Sequence, residues 1–206
     1  MTPGQTIENQ SFQIIRSEMG THHFNALAET IVVRVIHATA DFEFVQLLRF
    51  HPDAVTAGVA ALRAGCSVIT DVHMVEAGIS QHLLDQVGGQ TQCVIDDEAV
   101  RLRAEQEGTT RAVAAMRQLA PQMDGSIVAI GNAPTALLEV MRLVHAEGHH
   151  PALIVGVPVG FVSAVESKDA LITLGLPYIT AQGRKGGSPV AAAIVNALLR
   201  AAVTNA

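Results

Sequence analysis

The segment Ser126-Ile-Val-Ala-Ile-Gly-Asn-Ala-Pro-Thr135, continuing to Ala146, decides the fold. Its first half is an apolar run without polar interruption, the pattern of a strand buried on both faces of a parallel sheet. Gly131 then permits a tight turn, and Pro134 suits the first turn of a helix, where a missing N–H costs nothing. Together they spell one βα unit. The same order recurs around it, with apolar runs at 66–70, 91–95, 152–157 and 178–181 and amphipathic segments at 111–119, 134–146, 164–174 and 189–203. Repeated βα units imply an α/β fold: a parallel sheet, right-handed crossovers and helices on both faces.

Before this region lies an N-terminal helical segment, read at 7–19, 24–40 and 52–64, with Pro52 in a first turn. No linker, low-complexity tract or close repeat divides the chain, so residues 1–206 read as a single domain. Half of the residues are hydrophobic but only 3% aromatic, so Val, Leu, Ile and Ala must build the core. The net charge of −6 provides no general attraction for nucleic acid, and an anionic ligand must be met by local cations such as Arg16, Arg34, Arg111, Arg184 and Lys185. Cys66 and Cys93 form no CxxC, and the apolar stretch 152–165 is broken by Gly156, Pro158 and Gly160. These features point to a cytoplasmic protein with no membrane segment.

Ligands of such sheets collect beyond the carboxyl ends of the strands, here the segments 71–74, 96–98, 131–135, 158–161 and 183–188. Free N–H groups at Gly131-Asn132 suit a carboxylate, although a turn capped by Asn132 explains the residues equally well. The loop Gly183-Arg184-Lys185-Gly186-Gly187-Ser188 places two cations and two close glycines before a Pro-started helix, a cradle for a carboxylate. It matches no phosphate-loop or dinucleotide motif. Residues Thr30, Arg34, His37 and Asp41 follow helical spacing opposite Leu27, Ile31 and Val35. His37 there offers an imidazole suited to acid or base work, while periodicity alone favours a solvated face. The run Ser163 to Asp169 reads as a solvated, charged helix start. Adjacent pairs His22-His23 and His149-His150 place no two rings on one helical face, and HExxH is absent, so no metal site is expected.

Taken together, Gln10-Ser11-Phe12, Arg34-Val-Ile-His37-Ala, Asp71-Val-His-Met74-Val, Thr110-Arg111, Ala129-Ile-Gly-Asn-Ala-Pro-Thr-Ala136, Gly156-Val-Pro-Val-Gly-Phe-Val162, Glu166-Ser-Lys-Asp-Ala170 and Gly183-Arg-Lys-Gly-Gly-Ser188 resemble the precorrin-8X methylmutase and cobalt-precorrin-8 methylmutase family. The strings occur in that family's order from about Ser11 to Ala197. The resemblance implies a flavodoxin-like sheet, a homodimer with its site near the interface, and migration of a methyl group from C-11 to C-12 of a corrin precursor, without redox cofactor or methyl donor. It assigns acid/base work to His37 and substrate contacts to Ser11 and Arg34. By position, Arg111, Asn132, Arg184, Gly186, Gly187 and Ser188 join the substrate set. The family spans metal-free and cobalt-bearing substrates, and the Thr70-Asp71-Val-His-Met74 stretch leans to the cobalt form. A non-catalytic corrinoid carrier and a flavodoxin-like nucleotide- or phosphate-binding module are the alternatives, since fold alone does not determine function.

Overall fold

The computed structural model describes residues 2–204, so both extreme ends of the single domain read over 1–206 fall outside the described residues. In chain order the elements are α1 (Pro3–Glu18), α2 (Ala26–Thr39), α3 (Phe44–Leu47), β1 (Leu48–Phe50), α4 (Ala54–Arg63), β2 (Ser67–Thr70), α5 (His73–Gly78), α6 (Gln81–Gln86) and β3 (Gln90–Gln92). There follow α7 (Glu98–Glu107), α8 (Arg111–Leu119), a 3₁₀ turn at Ala120–Gln122, β4 (Ile127–Ile130), α9 (Pro134–Glu147), β5 (Leu153–Gly156), α10 (Ala164–Ile172), β6 (Tyr178–Ala181) and α11 (Ser188–Thr204).

The strands lie in the order β1-β6-β5-β4-β2-β3. Strands β2 to β6 are parallel, and their order is the flavodoxin-like one in which the chain reverses direction across the sheet between β2 and β4. Edge strand β1 is antiparallel to β6, pairing Leu48 with Ala181 and Phe50 with Ile179, and corrects the all-parallel reading. Strand β3 is also displaced, occupying Gln90–Gln92 rather than 91–95.

Alternate residues of each central strand serve opposite faces, as strand geometry requires. Ile127 and Ala129 join Leu153 and Val155 beneath α2, α4 and α11, whereas Val128 and Ile130 join Ile154 beneath α7 to α10. Helix α11 lies against β4 and β5 and carries α2 on its outer side; α1 packs in turn on α2. Helix α4 starts at Ala54 behind Asp53, so Pro52 belongs to the preceding turn and not to the helix. No helix among the described residues is long and apolar enough to cross a membrane.

One buried side chain joins the two strands at the reversal. Asp71, directly after β2, is 0% exposed. It accepts the Gly131 N–H at 3.0 Å on Oδ1, and the Asn132 and Ala133 N–H groups at 2.8 and 2.7 Å on Oδ2. Burial pushes its carboxyl upward in pKa and the three donors pull it back. The bonds satisfy three consecutive N–H groups of the turn that leads into α9. Asp71→Asn keeps the shape but sets an NH2 group against at least one of these donors. Leaving a buried donor unsatisfied costs about 1–3 kcal/mol, so urea unfolding should show a loss of that size. An unchanged midpoint and slope would remove Asp71 from this role.

Candidate active site

Helix α2 begins at Asn25, whose side chain accepts the Ala28 N–H at 2.9 Å. It buries Ile31, Val32, Val35 and Ile36, which turns Arg34 and His37 towards α1. There Phe12 fills the space between them: its ring lies edge-on to His37 at 5.2 Å, and the Arg34 guanidinium sits 4.9 Å from the ring centroid. Glu8, one turn before Phe12, pairs with Arg34 at 3.3 Å. Burial and the charge of Arg200 hold the Arg34 pKa below its ordinary value, and Glu8 opposes them. Arg34 is therefore a half-enclosed cation with an aromatic floor, not a member of a solvated face. Leu27, read as part of the opposite buried face, is exposed.

His37 opens into two grooves. One, of about 240 Å³, is shared with Ser11, Ile14, Ile36 and Phe42; the other, of about 270 Å³, is shared with Arg34, Gly78, Pro189 and Asn196. The fold thus brings Ser11, Arg34 and His37 together from two helices. Ser11 Oγ donates to the Ile7 carbonyl at 2.9 Å, which leaves its lone pairs to accept. Asp41 departs from the expected constellation because α2 ends at Thr39 and Ala40 takes a left-handed conformation, φ 53°. It pairs instead with Lys185 at 2.5 Å, and Glu43 binds the same ammonium at 3.0 Å, so that cation is already neutralised.

The glycine loop before α11 reaches these grooves through Pro189, which follows Ser188. Its course is dictated by close backbone approach. A Cβ on Gly186 would lie 2.2 Å from the Val157 carbonyl oxygen, and Gly187 donates its N–H to that oxygen at 2.8 Å. A Cβ on Gly131 would meet the Ser188 Cα at 2.8 Å, so the β4–α9 turn and this loop touch. Beneath them lies Lys168, 0% exposed, whose Nζ donates to the Lys185 carbonyl at 2.9 Å. The expected solvated charge run is thus only half right: Glu166 and Asp169 face water, while Lys168 turns inward to hold the loop.

The remaining nominated residues are spread along the carboxyl edge. Asn132 is exposed, but its backbone N–H and its neighbours' are taken by Asp71; that turn offers no free N–H cradle, and Asn132 caps no helix. Arg184 is exposed over the Phe161 ring at 5.3 Å. Arg111 pairs with Asp96 at 3.2 Å, and the Thr110 and Thr135 hydroxyls, 3.3 Å apart, tie the start of α8 to the start of α9. Gly186, Gly187 and Ser188 form the loop floor, with Gly187 and Ser188 buried. The structure also gathers His73, Glu76 and Cys93, unrelated by any sequence motif. A groove of about 420 Å³ between Thr21 and Phe50 contains none of the nominated residues.

A mostly parallel sheet with loops gathered at its carboxyl edge, flanked by a histidine–arginine pair on an outer helix, defines an α/β protein of the flavodoxin-like class. The profile of the precorrin-8X methylmutase family matches residues 6–201. A cobalt-precorrin-8 methylmutase of Priestia megaterium is 47% identical, covering 94% of this chain and 86% of its own. A precorrin-8X methylmutase of Pseudomonas aeruginosa is 43% identical over 95% and 94%. The crystal structure of precorrin-8X methylmutase from Thermus thermophilus superposes with a TM-score of 0.92 at 40% identity, covering 98% of this chain and 97% of that one. The chain belongs to the precorrin-8X methylmutase family, and is an isomerase of that family.

Burial lowers the Lys168 pKa from 10.5 to about 8, with Asp169 opposing. Between those values the folded chain binds fewer protons than the unfolded one, so this residue's contribution to stability rises with pH and is lost as pH falls through about 8. Parent and Lys168→Met proteins, unfolded in urea from pH 7 to 10, should therefore diverge in the parent's favour as pH rises. A difference independent of pH would contradict the buried charge.

Proposed function

We propose that this chain moves the methyl group at C-11 of a corrin precursor to C-12, converting precorrin-8X or cobalt-precorrin-8 into hydrogenobyrinate or cobyrinate. The convergence of Ser11, Arg34 and His37 on adjoining grooves, in a chain of this family, carries the proposal. The cobalt substrate is favoured, because the relative from Priestia megaterium bears that name at 47% identity.

The reaction breaks the methyl bond to C-11 and forms one to C-12, so substrate and product have the same composition. The protein must hold migrating group and acceptor carbon in reactive alignment and stabilise charge displaced through the conjugated ring. His37 supplies the proton, donating it to the macrocycle during the shift and recovering it afterwards. Phe12 fixes the imidazole plane through its edge-on contact. Arg34 binds a peripheral carboxylate, exchanging its Glu8 partner for the substrate. Arg111, Arg184 and the side chain of Asn132 take further edge groups, over the floor of Gly186, Gly187 and Ser188.

We further propose a homodimer in the cytoplasm. Val159, Phe161 and Val162 are exposed at the carboxyl edge, the last two by more than four fifths, and a second copy would cover them while enclosing a disc too large for one chain's grooves. A free nucleotide-binding module is disfavoured by the β4–α9 turn, whose N–H groups are spent on Asp71.

Proton assistance of this kind is worth about 10²- to 10⁴-fold in rate. Single-turnover absorbance assays of His37→Ala and His37→Asn should show losses on that scale with substrate binding largely retained. Conversion at the parent rate by both variants would exclude His37 as the proton donor, and binding without conversion by the parent would favour the carrier.

A further inference from the structure

The carboxyl edge holds a second cluster that the methyl shift does not require. His73 opens α5 immediately after β2, Glu76 lies one turn along the same helix, and Cys93 follows β3. One ligand atom from each lies within 4.8 Å of the others. We infer that His73, Glu76 and Cys93 form a binding site for a divalent transition metal of the zinc class, Zn²⁺ or Co²⁺.

Imidazole, carboxylate and thiolate are the ligands such borderline ions take. The two ring nitrogens of His73 are already divided between inner and outer partners. Its Nδ1 faces Glu76 Oε2 at 2.8 Å, the side on which the ion would displace that hydrogen bond. Its Nε2 faces Asp96 Oδ2 at 3.7 Å, and Asp96 is itself held by Arg111 at 3.2 Å. A carboxylate behind a ligating histidine orients the ring and raises its basicity. One further feature points to a ligand at the sulfur. Thr70 is buried, and its hydroxyl lies against the Cys93 sulfur, in place to donate to a coordinated thiolate.

The three groups leave a fourth position for water. Half of the His73 side chain is exposed, so the ion has a path from solvent. Bound there, it would tie the exit of β2 to the exit of β3 and, through Asp96, steady Arg111. The inference does not depend on the identity of the corrin substrate or on His37.

Metal-stripped full-length protein titrated with Co²⁺ alone tests it. One tight equivalent is expected, with thiolate-to-cobalt charge-transfer absorption in the near ultraviolet, reversed by Zn²⁺. Cys93→Ser should abolish that absorption and Cys66→Ser should keep it; His73→Asn should abolish tight binding. Asp96→Asn, which removes only the outer carboxylate charge, should weaken Co²⁺ about 10- to 100-fold. Thermal melts of each variant separate lost binding from lost fold. Absence of the charge-transfer band in the parent, its survival in folded Cys93→Ser or His73→Asn, or an unchanged affinity in Asp96→Asn would overturn the site.

Discussion

Asp71 is the contact on which the working edge of this protein depends. A carboxylate at the end of β2 accepts three consecutive N–H groups of the turn after β4, at the place where a flavodoxin-like sheet reverses its strand order and ordinarily receives a ligand. Here the N–H groups of that turn are taken by the protein's own carboxylate. Once this turn is held, Gly131 meets Ser188, the glycine loop is drawn against Val157, and α11 starts where its first turn borders the groove of His37. His37, the proposed acid/base residue, therefore sits on an outer helix, away from the N–H groups that the fold alone would nominate.

A chain with net charge −6 that handles a polycarboxylate must concentrate positive charge locally. Its cations divide by their partners. Lys185 is neutralised by Asp41 and Glu43, and Lys168 is spent on a backbone carbonyl. Arg34, Arg111 and Arg184 remain addressable: the first two hold single carboxylate partners and the third lies over an aromatic ring. The exposed Arg111–Asp96 pair is worth about 0–1 kcal/mol, so an incoming carboxylate can replace it at small cost, whereas half-enclosed Arg34 would have to exchange Glu8 for the new partner.

The sheet was legible where strands are short, mostly apolar runs, unbroken in β4 and β5 and carrying only Ser or Thr as polar members in β2 and β6. It was not legible at β1, whose three residues Leu-Arg-Phe carry no period, or at α7, which buries only Val100 and Ala104 and is laced by the Arg101 pairs to Glu98 and Glu105. Arg34 and His37 could be read together because their spacing is local to one helix. Phe12 was visible only as part of a family string, and its place between them required the packing of α1 on α2. Asp71 finds its partners 60 to 62 residues later, and Cys93 meets His73 across neighbouring strand ends; no local pattern encodes either encounter. Lys168 shows the opposite failure, since its charged neighbours disguise a residue that the loop's carbonyl draws inward.

The account's central claim, that the α1–α2 grooves beside the glycine loop hold the macrocycle, is tested most directly by a crystal structure of the protein with its corrin product. The account predicts the disc across these grooves, a ring atom within about 2.6–3.2 Å of a His37 nitrogen, and a carboxylate on Arg34 in place of Glu8. A disc seated instead in the groove between Thr21 and Phe50, with His37 left to solvent, would contradict it.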